Sequence, residues 1–288
     1  MFRFLVSIIF CLSFITSYAQ SPLDSVVTLG NTSLKTQKTI VPSPNQSQLN
    51  TDRPSFSDNS YVLPPGGFQH ENGFQINAQE NAPHNTNYTG ALPFSSFRLG
   101  VLKGFELRMA TALLRNPENT PTPYGLSDLE LGTKIQLFEN VAWISHLGIP
   151  NGSNGYSNEK FYSSHKVSAT LATEQSSFVI NTGVRFSRNP NNGQKERNWL
   201  NTLVAMRNIN RNTFVFGEVF LMRTISGEGL EAIATWKPGF DFGFAHKFTD
   251  NTQIDLSYGF ISEQPFVNLG FSWGAFKSQF KPIRTPEF

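Results

Sequence analysis

"SDLELGTKIQLFEN", residues 127–140, alternates with a period of two. Asp128, Glu130, Gly132, Lys134 and Gln136 form one set, and Leu129, Leu131, Thr133, Ile135 and Leu137 the other. Successive side chains of a β-strand point to opposite faces, so this is a strand whose two faces meet different media. In a soluble sandwich the leucines would face a protein core and the charges bulk water; in a membrane barrel the leucines would face lipid and the charges a lumen.

The same pattern recurs on either side of this stretch. "GFELRMATALL" (104–114) sets Glu106, Arg108 and Ala110 against Phe105, Leu107 and Met109. "GFDFGFAHKF" (239–248) sets Asp241, Ala245 and Lys247, with two glycines, against Phe240, Phe242, Phe244, His246 and Phe248. "TQIDLSYGF" (252–260) and "VNLGFSWGA" (267–275) repeat it. Phenylalanines in a row on one strand face suit lipid and would aggregate in water. Twelve segments are expected, at roughly 67–79, 93–101, 104–114, 127–138, 140–149, 161–173, 176–187, 197–207, 212–223, 238–248, 252–261 and 266–276, an even number as in bacterial barrels. The segments 140–149 and 212–223 alternate poorly. Connections run long ("QENAPHNTNYTGALP"), short ("LK"), long ("RNPENTPTPYGL"), short ("EN"), and so on down the chain. Long external loops alternating with tight periplasmic turns fit an antiparallel up-and-down transmembrane β-barrel, residues 67–276, better than a sandwich.

Composition agrees. Only 15% of the 288 residues are charged, the formal net charge is +2, and there are 27 Phe and 22 Gly. That balance makes no case for nucleic-acid binding. The mean hydropathy of −0.27 is uninformative, because alternating strands average to such values. "MFRFLVSIIFCLSFITSYAQ" has Arg3, an apolar run from Phe4 to Ile15, and small residues at Ser17 and Ala19. It reads as a secretory signal, residues 1–19, cleaved after Ala19. The one cysteine, Cys11, lies within it, so the mature chain would have no disulfide, thiol nucleophile or cysteine-bound metal. Residues 20–50 are polar and read as a linker. Residues 51–66 form a separate segment, and "KSQFKPIRTPEF" (277–288) a C-terminal tail.

"TDRPSFSDNSYVLPPGGFQHENGF" (51–74), "FRLGVLKGFELRM" (97–109), "GLSDLELGTKIQLF" (125–138), "IDLSYGF" (254–260) and "NLGFSW" (268–273), in that order, resemble the outer-membrane β-barrel family named after the MetA pathway of phenol degradation. The motif Thr51-Asp52-Arg53-Pro54 followed by the Pro65–Gln69 step carries most of the resemblance. It implies a barrel in the outer membrane of a Gram-negative bacterium that passes small molecules, hydrophobic or aromatic ones among them, and it brings no catalytic residues.

The side chains expected to line the lumen are Glu71, Glu106, Asp128, Glu130, Asp241 and Asp255 against Arg98, Arg108, Lys134, Lys166, Arg185, Arg207 and Lys247. The signs nearly cancel, and two readings stand open. One is a network of paired charges filling a narrow interior, since an unpaired buried charge is costly; the other is a pathway for polar or zwitterionic solutes. Two readings also stand open for Thr51–Pro54: Asp52 and Arg53 fold back onto lumen charges as a partial plug, or the segment caps the periplasmic rim. Adhesion through "PNGSNGYSNEKFY" (150–162) and "RNPNNGQKE" (188–196) is a further class. A lipid-modifying enzyme is another, but no serine sits in a Gly-x-Ser-x-Gly element. The histidines His70, His84, His146, His165 and His246 read as interfacial or loop residues with no metal-site spacing, and no cofactor motif is present. Trp143, Trp199, Trp236, Trp273, Tyr88, Tyr124, Tyr156 and Tyr162 are expected at the membrane interfaces. The expected partners are outer-membrane lipid, the outer-membrane assembly machinery and a small solute.

Overall fold

In a computed structural model, residues 49–276 are described except 54, 83–84, 119–120, 122, 190–191 and 228–231. The stretch expected as a signal, most of the expected linker, Pro54, His84 and the expected C-terminal tail lie outside the described residues.

The strands are β1 Phe68–Ala82, β2 Asn85–Leu102, β3 Phe105–Arg115, β4 Tyr124–Leu126, β5 Leu129–Phe138, β6 Val141–Ile149, β7 Tyr162–Ala172, β8 Ser176–Arg188, β9 Lys195–Asn208, β10 Thr213–Ser226, β11 Ile233–Thr249, β12 Thr252–Ile261 and β13 Gln264–Ala275. Each pairs antiparallel with its neighbours, and β1 pairs with both β2 and β13, which closes a twelve-stranded barrel with one extra short strand. That extra strand is β4, which pairs with β3 just beyond β5 and continues the same stave after a break at Ser127 and Asp128.

Closure leaves no sheet edge, and the side-chain period does the rest. On β3 the inward Glu106, Arg108, Ala110 and Ala112 are buried while Leu107 and Met109 are exposed. On β13 Ser272 is buried while Leu269, Phe271 and Trp273 point out. Each outward Phe, Leu or Trp moved from water into hydrocarbon is worth roughly 1.5–3 kcal/mol, so this surface is stable only in a membrane.

β6 and β10 form despite their weak alternation, because Ile144 and Ala142 on β6 and Phe216 and Phe220 on β10 are apolar residues that face inward. The stretch expected as a long first loop is instead a hairpin, with β2 running for 18 residues. A strand crosses a bilayer in about 9–11 residues, so this hairpin extends well beyond it. There both faces meet water, and the two-residue period that marks a strand is lost.

One end of the barrel carries the short turns at 103–104, 139–140, 173–175, 209–212 and 250–251, together with the start of β1 and the end of β13. It is the periplasmic end of an outer-membrane barrel. At the other end Asp128 does not line the lumen: its carboxylate accepts hydrogen bonds from Gly152 N (3.0 Å) and from Asn158 N (2.8 Å) and Nδ2 (3.1 Å). It anchors the loop between β6 and β7. Asp128→Ala should free that loop, seen as faster hydrogen exchange confined to residues 150–158.

Candidate functional site in the barrel lumen

Residues 49–53 and 55–66 do not cap the rim; they run inside the barrel. The path begins near the periplasmic turn at 250, where Leu49 N donates to Asp250 O (2.8 Å) and Lys247 Nζ to Leu49 O (2.7 Å). Leu49 is buried. The segment climbs to Phe56, whose ring packs on Phe220 (centroids 4.6 Å apart) and on Phe266 (5.7 Å). It then descends past Ser60, whose N–H donates to Thr170 Oγ1 (2.9 Å), and Leu63, whose N–H donates to Glu106 Oε2 (2.9 Å).

The wall supplies the backbone of this segment with the partners that a strand ladder would otherwise give. Glu71 accepts from the N–H groups of Asp52 (3.1 Å) and Arg53 (3.2 Å). Glu218 accepts from Phe56 N (2.7 Å) and Ser57 Oγ (2.5 Å). Asn181 accepts from Asp58 N (2.7 Å) and donates to Asp58 O (2.9 Å), while Ser168 Oγ also donates to that carbonyl (2.6 Å). Buried backbone groups need such partners, so an irregular segment can sit at membrane depth only inside protein.

Charge fixes its position. The Asp52 carboxylate meets Arg108 Nη2 at 2.9 Å, Arg98 Nη1 at 3.1 Å and Lys134 Nζ at 3.1 Å. Arg53 reaches the other side, with Nη2 at 2.9 Å from Asp255 and 2.7 Å from Asn268 Oδ1. Asp58 pairs with Arg108 (3.1 Å) and with Lys166. Burial alone would raise the Asp58 carboxyl, but Lys166, Arg108 and Lys134 outweigh it and hold it well below the usual aspartate range.

Two glycines make the slot for Arg53. Gly73 and Gly270 are paired across β1 and β13; a Cβ on Gly73 would land on the Arg53 guanidinium, and one on Gly270 would meet both Arg53 Nε and the Asp255 carboxylate it pairs with. Valine suits a strand but not this slot. Gly270→Val should therefore expel Arg53 and raise conductance in planar bilayers, while the barrel keeps its heat-modifiable mobility on gels.

Of the side chains expected in the lumen, Glu71, Arg98, Glu106, Arg108, Lys134, Asp241 and Asp255 are buried inward. Glu130 and Arg185 stand higher: Tyr162 donates to Glu130 (2.9 Å) and the Arg185 guanidinium stacks 3.8 Å from the Tyr162 ring. Tyr162 is thus a lumen residue rather than a membrane-interface one. Arg207 is a correction of the other kind: Thr202 and Val204 set the inward parity of β9, so Arg207 faces out, exposed, beside the periplasmic rim. There its stem can lie along apolar surface while the charge reaches water.

Among the described histidines, His70 stacks on Phe97 (4.1 Å), His165 lies beside Trp143 (6.0 Å) and His246 meets Phe248 (5.1 Å). His146 instead shares the inward parity of Ile144 on β6 and lines the lumen. Asp58, Asn181 and Glu218 belong to the site but escaped the sequence reading. Glu218, a lone charge in "FVFGEVFL", was the available signal.

Above the segment lies a cavity of about 1190 Å³. Asp52, Arg53, Phe56 and Asp58 form its floor, and Glu130, His146, Arg185, Asn198 and Thr224 are on its walls. A wide upper chamber therefore ends on a segment held from both sides of the barrel.

The family described as "Putative MetA-pathway of phenol degradation" matches residues 51–273. Among solved structures the chain is similar to an outer-membrane channel from Pseudomonas putida F1, at 12% identity and a TM-score of 0.56, covering 77% of this chain and 100% of that one. It also aligns with a KdgM porin in complex with disordered oligogalacturonate, at 10% identity and a TM-score of 0.46, covering 72% and 98%. No curated protein matches the chain.

Proposed function

Because this chain belongs to the outer-membrane β-barrel family of the MetA pathway of phenol degradation, we propose that it is a passive channel for small solutes, closed in the present state by its own residues 49–66. The observation that carries this reading is the placement of Asp52 among Arg98, Arg108 and Lys134. A segment serving only as filler could be apolar. Here it is held by charge–charge contacts, which water and solute ions can replace when the segment leaves, so it suits a closure that opens. The solved channel from Pseudomonas putida lends the fold to this reading.

The second reading, a permanently filled barrel, draws on the near-complete hydrogen bonding of the same segment. The two separate in single-channel recordings of the full-length protein and of a variant lacking residues 20–66. The channel reading predicts larger and longer conductance steps in the variant. Equal silence from both, with both folded, supports the filled barrel.

A further inference from the structure

The lumen wall is sorted by charge. Along β2, β3, β5 and β7 the inward cations are Arg98, Arg108, Lys134 and Lys166, offset in part by Glu106 on β3 and by Glu71 on the adjoining β1, both paired with Arg98. Along β10, β11 and β12 the inward charges at the same depth are Glu218, Asp241 and Asp255. Glu218 and Asp241 sit side by side in the β10–β11 register. The step from Asp52 to Arg53 spans this division, with the carboxylate on the basic wall and the guanidinium on the acidic one. If the segment leaves, the basic wall loses the carboxylates of Asp52 and Asp58, and the acidic wall loses Arg53.

Some atoms of the wall charges make no hydrogen bond even with the segment in place, although Arg108 Nη1 keeps Glu106 at 3.9 Å. Arg108 Nε and Nη1 on one side, and Asp241 Oδ1 and Asp255 Oδ2 on the other, are buried without a hydrogen bond among the described residues. Those residues are 8%, 2% and 1% exposed, respectively. Low-dielectric walls of opposite sign facing one another set up a field across the pore, which orients a dipolar solute and gains little from a single charge.

The geometry points to small zwitterionic solutes, amino-acid-like molecules with a carboxylate and an ammonium or guanidinium a few bonds apart, as what the cleared lumen binds in passage. The carboxylate takes the place of Asp52 on Arg98, Arg108 and Lys134, and the cation takes that of Arg53 on Asp255. Asp52-Arg53 is then a built-in mimic of the solute. The inference rests on the channel reading. A monoanion or monocation matches one wall and leaves the other uncompensated, which is costly away from water.

The test uses the full-length chain carrying Asp52→Asn and Arg53→Gln, recorded in planar bilayers with 6-aminohexanoate, hexanoate or hexylammonium as the probe. The expected result is current block by 6-aminohexanoate at a concentration about tenfold below that needed for either singly charged probe. Adding Asp255→Asn should bring 6-aminohexanoate into line with hexanoate. Equal block by all three probes, or the strongest block by one of the singly charged ones, overturns the inference and leaves the channel intact. No current from the folded variant overturns both.

Discussion

Asp52→Asn is expected to convert a mostly closed barrel into a mostly open one. The substitution leaves Arg98, Arg108 and Lys134 converging on a neutral amide. Removing one partner of a buried ionic group costs about 3–5 kcal/mol, because the remaining charges stay desolvated. In this barrel the cost need not unfold the protein. Once the segment withdraws, water enters and hydrates the three cations, so the penalty falls on the docked state alone. At about 1.4 kcal/mol per decade, even the lower figure shifts the equilibrium by roughly a hundredfold. Open probability in single-channel recordings reads this directly, and Asp52→Glu, which keeps the charge, should stay near the wild type. A folded Asp52→Asn protein as silent as the wild type would count against the role given to this carboxylate.

Asp58 should give the channel a late response to acid. The Asp58 carboxyl is held well below the usual aspartate range by Lys166, Arg108 and Lys134 against the opposing effect of burial. A depressed pKa in the docked state means that docking is favoured above the ordinary value, about 3.9 when the segment is free, and loses that support as pH falls through the depressed one. The share of the opening that this group carries should therefore appear only below about pH 4. Asp58→Asn should already be leaky at neutral pH and lack the further acid rise attributed to this group. A wild-type transition centred between about pH 5 and 6 would assign the response to other groups.

The fold was legible because most strands lie within the bilayer, where each face meets one medium. β3, β12 and β13 alternate strictly for that reason. The hairpin of β1 and β2 was read as a loop where it rises into water, since "NTNY" has no apolar face to show. Asp128 fits the period of its strand, yet it falls at the break between β4 and β5, where the backbone turns its carboxylate to the loop. Tyr162 looked like a belt aromatic because its partners, Glu130 and Arg185, come from other staves.

The site was legible only in part for a related reason. Asp52 and Arg53 stood out as adjacent opposite charges just before the barrel, and the wall charges could be assigned by parity. The slot made by Gly73 and Gly270 depends on β1 meeting β13, a contact between the two ends of the barrel sequence. Glu218 lay in a strand whose inward face is mostly aromatic, so no alternation flagged it. Asn181 holds both backbone groups of Asp58, a pairing set by the path of the segment rather than by any motif.

The central claim is that residues 49–66 close the pore and their departure opens it. Ser57 and Thr202 bring their hydroxyl oxygens into contact across the segment and β9, and the only cysteine of the sequence is Cys11, far from both in the chain. A Ser57→Cys, Thr202→Cys pair in the Asp52→Asn background can therefore tie the segment to the wall by a disulfide and release it by reduction. Conductance of that protein under oxidising and then reducing conditions is the most direct measurement. The account predicts closure when oxidised and full reopening when reduced, in the same membrane; current that ignores a verified disulfide would contradict it.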